Sequence, residues 1–109
     1  MPKGDWLGEF EICVLLAVDQ AGEDAYGMRV RDQIERRTGR DVAIGAVYAT
    51  LARLEEKGLV VATLGDPQPI QGGRARKAFA LTRDGRHMLA AATRMLKRMM
   101  AGWRPETAK

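Results

Sequence analysis

Apolar positions recur along the chain at two spacings, and the change between them predicts four helices and two short strands. The first helix is expected over 7–22, with Gly22 placed to end it. Its centre, Ile12–Val18, is apolar on nearly every face, which is typical of a helix buried on more than one side. One side of it would pack on its own domain and the other side on a second subunit.

A second helix is predicted over 25–38, with Asp24 as its N-cap and Gly39 at its end. A third helix starts at residue 43 or 44 and runs to 57, with Gly58 in the C-terminal capping position. Two helices joined by so short a connection form a helix-turn-helix.

The third helix combines an apolar inward face with an outward face of unusually small residues. The inward face carries Ile44, Val47, Leu51 and Leu54. A helix kept at the surface for solubility alone would carry Lys and Glu on its outer face, whereas small residues permit close approach to a large surface. The major groove of B-DNA, about 12 Å wide, accepts such a helix. The candidate DNA contacts here are Ala43, Gly45, Ala46, Tyr48, Ala49, Thr50 and Arg53.

Three of these residues have polar groups that suit DNA. Tyr48 and Thr50 are expected to donate to phosphate oxygens, and Arg53 to contact a phosphate or a guanine edge. The alternative for Tyr48 is a ring packed under the following hairpin with its hydroxyl at the surface.

Residues 59–64 and 76–81 are predicted as two antiparallel strands. The segment between them is too rich in Pro and Gly to be anything but a loop, and a hairpin of this length is typical of a wing. Its far side carries candidate DNA contacts at Gly73, Arg74, Arg76 and Lys77. Without these cations, Gly72 and Gly73 would indicate a plain flexible turn.

A long fourth helix is expected to start at Thr82, its N-cap, and to end at Pro105. Its apolar residues alternate at three- and four-residue steps, a seam that favours pairing with a second subunit. The candidate dimerisation residues of the first and fourth helices are Phe10, Cys13, Val14, Leu89, Ala92, Leu96, Met99 and Trp103. A basic amphipathic helix could instead lie on a membrane or bind a calmodulin-like partner.

The sequence therefore predicts a mainly helical winged helix-turn-helix with a small two-stranded β wing. We expect the DNA-binding domain over 1–82, a C-terminal dimerisation helix over 83–104 and a flexible tail over 105–109. With 109 residues, of which 46% are hydrophobic, the chain makes one small domain with a thin core.

The net charge of +4 is unevenly distributed. Residues 1–55 hold 7 Lys and Arg against 10 Asp and Glu, while residues 56–109 hold 11 against 4. The positive charge is thus concentrated in the wing and the fourth helix, which favours a polyanionic partner. A solvated basic face with no partner is the alternative.

Several classes of function are excluded by composition. Cys13 is the single cysteine and His87 the single histidine, so neither an intrachain disulfide nor a metal site is expected, and no cofactor is predicted. Cys13 is interpreted as a small buried hydrophobe. There is no nucleophile paired with a base and no phosphate-binding loop, so the chain is not expected to be an enzyme. Without an apolar run of about 18 residues or a leader, a cytoplasmic protein is expected.

Several stretches together resemble the PadR-type transcriptional regulators, over about 7–89. They are Leu7-Gly-Glu-Phe-Glu11, Asp24-Ala-Tyr-Gly27, Arg37-Thr-Gly-Arg-Asp-Val42, Ile44-Gly-Ala-Val-Tyr48, Leu51, Arg53-Leu-Glu-Glu-Lys-Gly-Leu59, the run from Gly72 through Phe79, and Leu81-Thr82 with Gly85. The resemblance is to the short-tailed branch, in which a single C-terminal helix dimerises two winged-helix domains. It implies a bacterial homodimeric repressor that binds an inverted repeat at a promoter such as its own.

The chain departs from this family pattern at two places. Family members often have Ser or Thr where this chain has Ala43, the expected N-cap of the recognition helix. The recognition face also has few polar groups, so base reading would depend on thymine-methyl contacts, Arg53, the wing and DNA shape.

Some members of the family release DNA when an aromatic or drug-like ligand binds between the subunits. By that resemblance, Trp6, Met95 and Trp103 are candidates for an effector pocket, with ordinary interface packing as the alternative. The competing function is a winged helix that uses its basic wing to bind an acidic protein partner.

Overall fold

The computed structural model describes residues 6–67 and 75–107, which contain four α-helices and one two-stranded antiparallel sheet. The predicted mainly helical fold with a small β wing is confirmed. The elements are α1 (Glu9–Ala21), α2 (Gly27–Thr38), α3 (Ile44–Glu56), β1 (Val60–Pro67), β2 (Ala75–Leu81) and α4 (Arg83–Met100). Short 3-10 turns cover Gly22–Asp24 and Pro105–Thr107, the second within the segment expected to be a flexible tail.

Helix α1 starts two residues later than predicted, because Gly8 is extended and forms the N-cap. The Glu11 carboxylate reaches back to this cap, where its Oε1 accepts a hydrogen bond from the Gly8 N–H at 2.8 Å. A glutamate in the first turn satisfies one of the free N–H groups at the helix start and suits the positive end of the helix dipole.

The prediction that Asp24 caps α2 is wrong. Residues Gly22–Asp24 form a 3-10 turn, and the N-cap of α2 is Tyr26. The reason lies in the sheet, since Phe79 N–H donates to the Ala25 carbonyl at 3.0 Å and Tyr26 forms an isolated antiparallel bridge with Ala78. Residues 25 and 26 thus extend along β2 before the helix can begin.

The connection between α2 and α3 is held by side chains of α2. Gly39 ends α2 in the left-handed conformation, as predicted, with a φ of +73°. Arg31 Nε donates to the Val42 carbonyl at 2.9 Å, and Val42 N–H donates to Glu35 Oε2 at the same distance. Both polar groups of the Val42 backbone are therefore bound, which fixes the chain just before α3.

The hairpin pairs Val60 with Leu81 and Leu64 with Lys77, and the register shifts between Leu64 and Pro67. The predicted strands are present, and β1 is longer than expected because residues 65–67 continue the pairing. The tip, residues 68–74, lies outside the described residues, so the predictions for Gly73 and Arg74 fall there.

The core lies where α1, α2, α3, the sheet and the start of α4 meet. It is formed by side chains that are less than a tenth exposed: Val14, Leu15, Val18, Val30, Ile34, Val47, Leu51, Leu54, Val60, Phe79, Leu81 and Leu89 among them. The inward residues predicted for α3 are all buried except Ile44, which is half-buried against the same cluster.

Helix α4 starts as predicted and ends earlier. Thr82 Oγ1 caps it by accepting from the Gly85 N–H at 3.0 Å. The helix ends at Met100 instead of continuing to Pro105, because Ala101 is extended and Gly102 has a φ of +85°. Trp103 therefore lies beyond the helix, and the prediction that it continues the helical seam is wrong.

Candidate nucleic-acid interface

The outward face of α3 consists of small exposed side chains. Gly45, Ala46, Ala49 and Ala52 are exposed, and Ala43 is exposed at the N-cap, where it provides no side-chain hydrogen bond. On the opposite face Val47, Leu51 and Leu54 are buried in the core, and this packing orients α3. The helix thus presents a flat surface of backbone and methyl groups to whatever approaches it.

Thr50 does not belong to this surface. Its side chain is only 3% exposed, and its hydroxyl lies 3.5 Å from Nη2 of Arg53, from which it accepts. The prediction that Thr50 donates to a phosphate is therefore wrong. Its side chain is buried beside the exposed face and contacts Arg53 from the inside.

Tyr48 lies at the edge of the face, where it is 46% exposed, and it packs against the first residue of α2. A Cβ built on Gly27 would overlap the Tyr48 ring and would lie 2.6 Å from its hydroxyl oxygen. The ring thus uses the space that Gly27 leaves open. Of the two alternatives predicted for Tyr48, the ring does not lie under the wing but packs on α2, and the outward donor stays a prediction, since the side chain is half exposed.

Arg53 is also exposed on α3, five residues after Tyr48, and it lies beside a carboxylate that comes from α1. Its Nε is 3.5 Å from Glu11 Oε2, and Lys57 Nζ approaches the same oxygen at 3.0 Å. The Glu11 side chain is only 10% exposed, whereas that of Arg53 is 54% exposed. Glu11, Arg53 and Lys57 form what we call the α1–α3 ion cluster.

The environment of Glu11 favours its charged form. Burial by itself would raise the pKa of Glu11, but the Gly8 N–H, the hydrogen bond and charge of Lys57 and the hydrogen bond of Arg53 together lower that pKa below its ordinary value. The cluster therefore holds one negative and two positive charges near neutral pH, and one net positive charge is left beside the exposed face of α3.

The wing is joined to the start of α2 through an aromatic ring. The Arg76 guanidinium lies over the ring of Tyr26, 4.9 Å from its centroid, and the exposed Lys77 lies 6.0 Å from the centroid of Phe79. Cations over aromatic rings are held in place without losing their charge. Arg76 thus lies beside the start of α2, while Lys77 lies on the other face of β2 with Phe79, and both keep their charge for an anion.

Sequence reasoning missed the roles of Glu11, Gly27 and Tyr26, which contact the candidate DNA-binding residues Arg53, Tyr48 and Arg76, and of Lys57, which pairs with Glu11. One signal was present, because Glu11 is an acidic residue at the start of an otherwise apolar helix. The others depend on contacts between segments far apart in sequence, which no local pattern contains.

Two of the predicted dimerisation residues are used by the domain itself. Val14 is completely buried and Leu89 is 8% exposed, both within the core described above, so neither offers a surface to a partner. Phe10, Cys13 and Ala92 are half-buried. Leu96, Met99 and Trp103 are exposed, and Met99 is 75% exposed.

The residues predicted to form an effector pocket are all at the surface of this chain. Trp6 and Trp103 are both more than half exposed. Met95 lines a shallow groove along α4 together with Ala91, Arg94, Arg98 and Met99. Among the described residues, no helix is long and apolar enough to cross a lipid bilayer.

Solved structures with the same fold are transcriptional regulators. A PadR-like regulator from Bacillus cereus is 23% identical over 84% of each chain, with a TM-score of 0.70. A PadR family regulator from Clostridium difficile is 25% identical, covering 86% of this chain and 96% of its own, with a TM-score of 0.68. A Streptococcus transcriptional regulator is 24% identical, covering 84% and 85%, with a TM-score of 0.68. No curated protein matches the sequence significantly.

The fold and the exposed helix define a winged helix-turn-helix transcriptional regulator. The model of the PadR-like family of transcriptional regulators matches residues 14–91, which is most of the chain. The protein belongs to that family. The family consists of regulators and not of enzymes, so the expectation from the sequence that the chain is not an enzyme is confirmed.

Proposed function

We propose that the protein is a homodimeric repressor that acts in the cytoplasm by binding an inverted-repeat operator. The observation that carries this proposal is the outward face of α3, a surface of glycine and alanine flanked by Tyr48 and Arg53. Small side chains on this face let the helix backbone approach closely, which suits contact with a groove.

In this proposal the first turn of α3 enters the major groove. Gly45 and Ala46 let the backbone approach the bases, and the methyl groups of Ala46 and Ala49 would pack on thymine methyl groups. Tyr48 would donate to a phosphate, and the exposed Ala43 backbone lies at the same end of the helix. Base reading by this face is sparse, so DNA shape would carry part of the specificity.

The wing would supply much of the affinity. Arg76 and Lys77 would contact a phosphate backbone, and the proposal includes Gly73 and Arg74 at the tip, which lie outside the described residues. Because these contacts neutralise phosphates, binding would weaken steeply as salt is raised.

Dimerisation would bring two such domains to neighbouring half-sites. The exposed apolar residues of α4 and the segment after it are Met95, Leu96, Met99, Met100 and Trp103. An apolar stripe of this width on a small domain favours pairing with a second copy. The spacing of the half-sites would then follow from the geometry of the pair.

The test is selection of binding sites from random duplexes, followed by fluorescence anisotropy with the selected duplex and a scrambled one over a range of salt. We expect an inverted repeat, preferred over the scrambled duplex, and a linear fall of log affinity with log salt. Replacing both Arg76 and Lys77 by alanine should weaken both duplexes and reduce the salt slope by about 2. A wild-type chain that binds no duplex at low salt would overturn the proposal and favour an acidic protein partner.

The candidate effector pocket is also a proposal. Trp6, Met95 and Trp103 would form it only where a second subunit completes the surface, because in one chain both indoles face solvent. Titration of planar aromatic compounds should quench tryptophan fluorescence and release the operator duplex. Unchanged fluorescence and unchanged DNA binding would assign these residues to interface packing.

A further inference from the structure

We infer that Glu11 is a positioning residue for DNA binding. It holds the Arg53 guanidinium by one edge, so that the other edge of the guanidinium faces a hydrogen-bond acceptor on the operator. The inference rests on the proposed function and extends it from the recognition helix to a residue of α1. It depends on the geometry of the α1–α3 ion cluster.

The first step is that Glu11 is itself fixed. One carboxylate oxygen accepts from the Gly8 N–H at 2.8 Å and the other accepts from Lys57 Nζ at 3.0 Å. The carboxylate is nearly buried, so it has little freedom to turn toward solvent. A fixed charge of this kind can orient a mobile neighbour.

The second step is that Arg53 meets this charge with one edge only. Its Nε lies 3.5 Å from Glu11 Oε2, and its Nη2 lies 3.5 Å from Thr50 Oγ1. Both contacts use the inner edge of the guanidinium. The outer edge, which carries Nη1, faces away from them on a side chain that is 54% exposed. A planar fork held in this way can present two donors to paired acceptors.

The third step is that Lys57 keeps the cluster cationic. Lys57 is closer to the carboxylate than Arg53 is, 3.0 Å against 3.5 Å, so it provides the main compensation for the buried charge. Arg53 is therefore oriented by Glu11 without being neutralised by it. The acceptor pair on DNA would be two phosphate oxygens or the O6 and N7 atoms of a guanine.

The test is a double-mutant cycle on DNA affinity with Glu11→Gln, Arg53→Ala and the double variant. Glu11→Gln keeps the side-chain volume and an acceptor for Gly8 but removes the charge. While Arg53 is present, we expect it to weaken binding to the selected operator by about fivefold to tenfold. This is a part of the affinity that one bidentate contact between an arginine and a base contributes. With Arg53 replaced, the same change should alter the affinity by less than about twofold.

Glu9→Gln is the matched control. Glu9 is in the same turn of α1, and its ion pair is with Arg40 and not with α3. The variant removes the same charge, so it measures the general effect of making the protein more positive. We expect Glu9→Gln to leave operator binding unchanged or slightly tighter.

The same variants identify the acceptor. A guanine contact predicts that repeated site selection with either Glu11→Gln or Arg53→Ala loses preference at one position of the half-site. A phosphate contact predicts an equal loss on operator and scrambled duplex, with a salt slope lower by about 1 for Arg53→Ala. Both results support a positioning role.

Additive effects of Glu11→Gln and Arg53→Ala would overturn the inference, because they would show that Glu11 acts on the fold and not through Arg53. Unchanged affinity in Glu11→Gln would overturn it as well. If Glu11→Gln does not fold, Glu11→Asp serves the same cycle, since it keeps the charge and shortens the reach by one methylene. A wild-type chain that binds no duplex would overturn the proposed function, and this inference with it.

Discussion

Three of the polar side chains proposed to meet DNA are held by a residue from another part of the fold. Tyr48 of α3 packs on Gly27 of α2, and Arg76 of β2 lies over Tyr26. Arg53 is beside Glu11 of α1. Ordering a long side chain on binding costs roughly 0.5–1.5 kcal/mol, so a side chain already held in the free protein loses less. Pre-organisation of this kind would compensate for a recognition face with few polar groups.

The contact between Gly27 and Tyr48 leads to a prediction about stability. Gly27→Ala places a methyl group in the space of the Tyr48 ring, and overpacking of this kind costs about 1–3 kcal/mol. We expect a lower free energy of unfolding in urea and weaker DNA binding, because the ring must move. In a Tyr48→Ala background the same substitution should cost little.

Gly45→Ala is the control for that experiment. Gly45 is also helical, and a Cβ there would meet nothing within 4 Å. It should raise the free energy of unfolding by up to about 1 kcal/mol through helix propensity. A Gly27→Ala chain as stable as wild type would mean that Tyr48 is not fixed by this contact.

Glu11 predicts a dependence of stability on pH. Its pKa is lowered in the folded state, so its contribution is fully present above the ordinary glutamate pKa and is lost as the pH falls through the folded value. At neutral pH, Glu11→Gln should cost about 1.5 kcal/mol, the size of a hydrogen bond to a charged group.

Urea unfolding of wild type and Glu11→Gln from pH 7 to pH 3 tests this. The difference between the two proteins should shrink below about pH 4.3, the ordinary glutamate value, as the carboxylate becomes protonated. A difference that stays constant to pH 3 would show that Glu11 contributes through packing and not through charge.

At the scale of elements, hydrophobic periodicity and capping residues were sufficient to predict most of the helices and strands. Thr82 caps α4 and Gly39 ends α2 as the sequence predicted, because both effects are local. The start of α2 was predicted wrongly because residues 25 and 26 pair with β2, a contact between positions more than fifty residues apart. The ion cluster escaped prediction for the same reason, since Glu11 and Lys57 meet only after α1 packs on α3.

The start of α3, the proposed recognition helix, has no side-chain cap. Ala43 is extended at the N-cap and its methyl side chain binds none of the free N–H groups of the first turn. Ala43→Ser should supply that acceptor and raise the free energy of unfolding by about 1 kcal/mol. Thermal unfolding followed by circular dichroism measures the gain.

Ala52→Ser is the matched control. Ala52 is exposed in the interior of the same helix, where a serine hydroxyl cannot act as an N-cap. It should be neutral or slightly destabilising. Equal effects of the two serines would mean that the cap position of Ala43 has no special value.

At the scale of the whole molecule, acidic and basic residues are separated along the chain, with 11 of the 18 Lys and Arg after residue 55. Part of this basic charge lies on α4, which also carries the exposed apolar residues. One ion pair, Arg86 with Asp19 at 2.9 Å, joins the start of α4 to the end of α1. The first turns of α4 thus belong to the core, and its last turns remain uncovered in one chain.

The uncovered turns of α4 allow a direct test of dimerisation. Leu96→Glu with Met99→Glu places two charges on the apolar face while leaving the capped start of the helix unchanged. We expect a dimer for wild type and a monomer for the variant by sedimentation, with unfolding of the winged domain little affected. A monomer cannot bind both half-sites as one unit, so its affinity for the inverted repeat should fall by about a hundredfold or more. Its affinity for a single half-site should stay unchanged.

Lys97→Glu is the control for this pair, because Lys97 is exposed beside the apolar face and its change in charge is as large as that of the double variant. It should remain dimeric. A Leu96→Glu, Met99→Glu chain that also remains dimeric would exclude the end of α4 as the interface and direct attention to α1, where Phe10 and Cys13 are half-buried. A monomeric wild type that still prefers the full repeat would mean that DNA itself brings the two domains together.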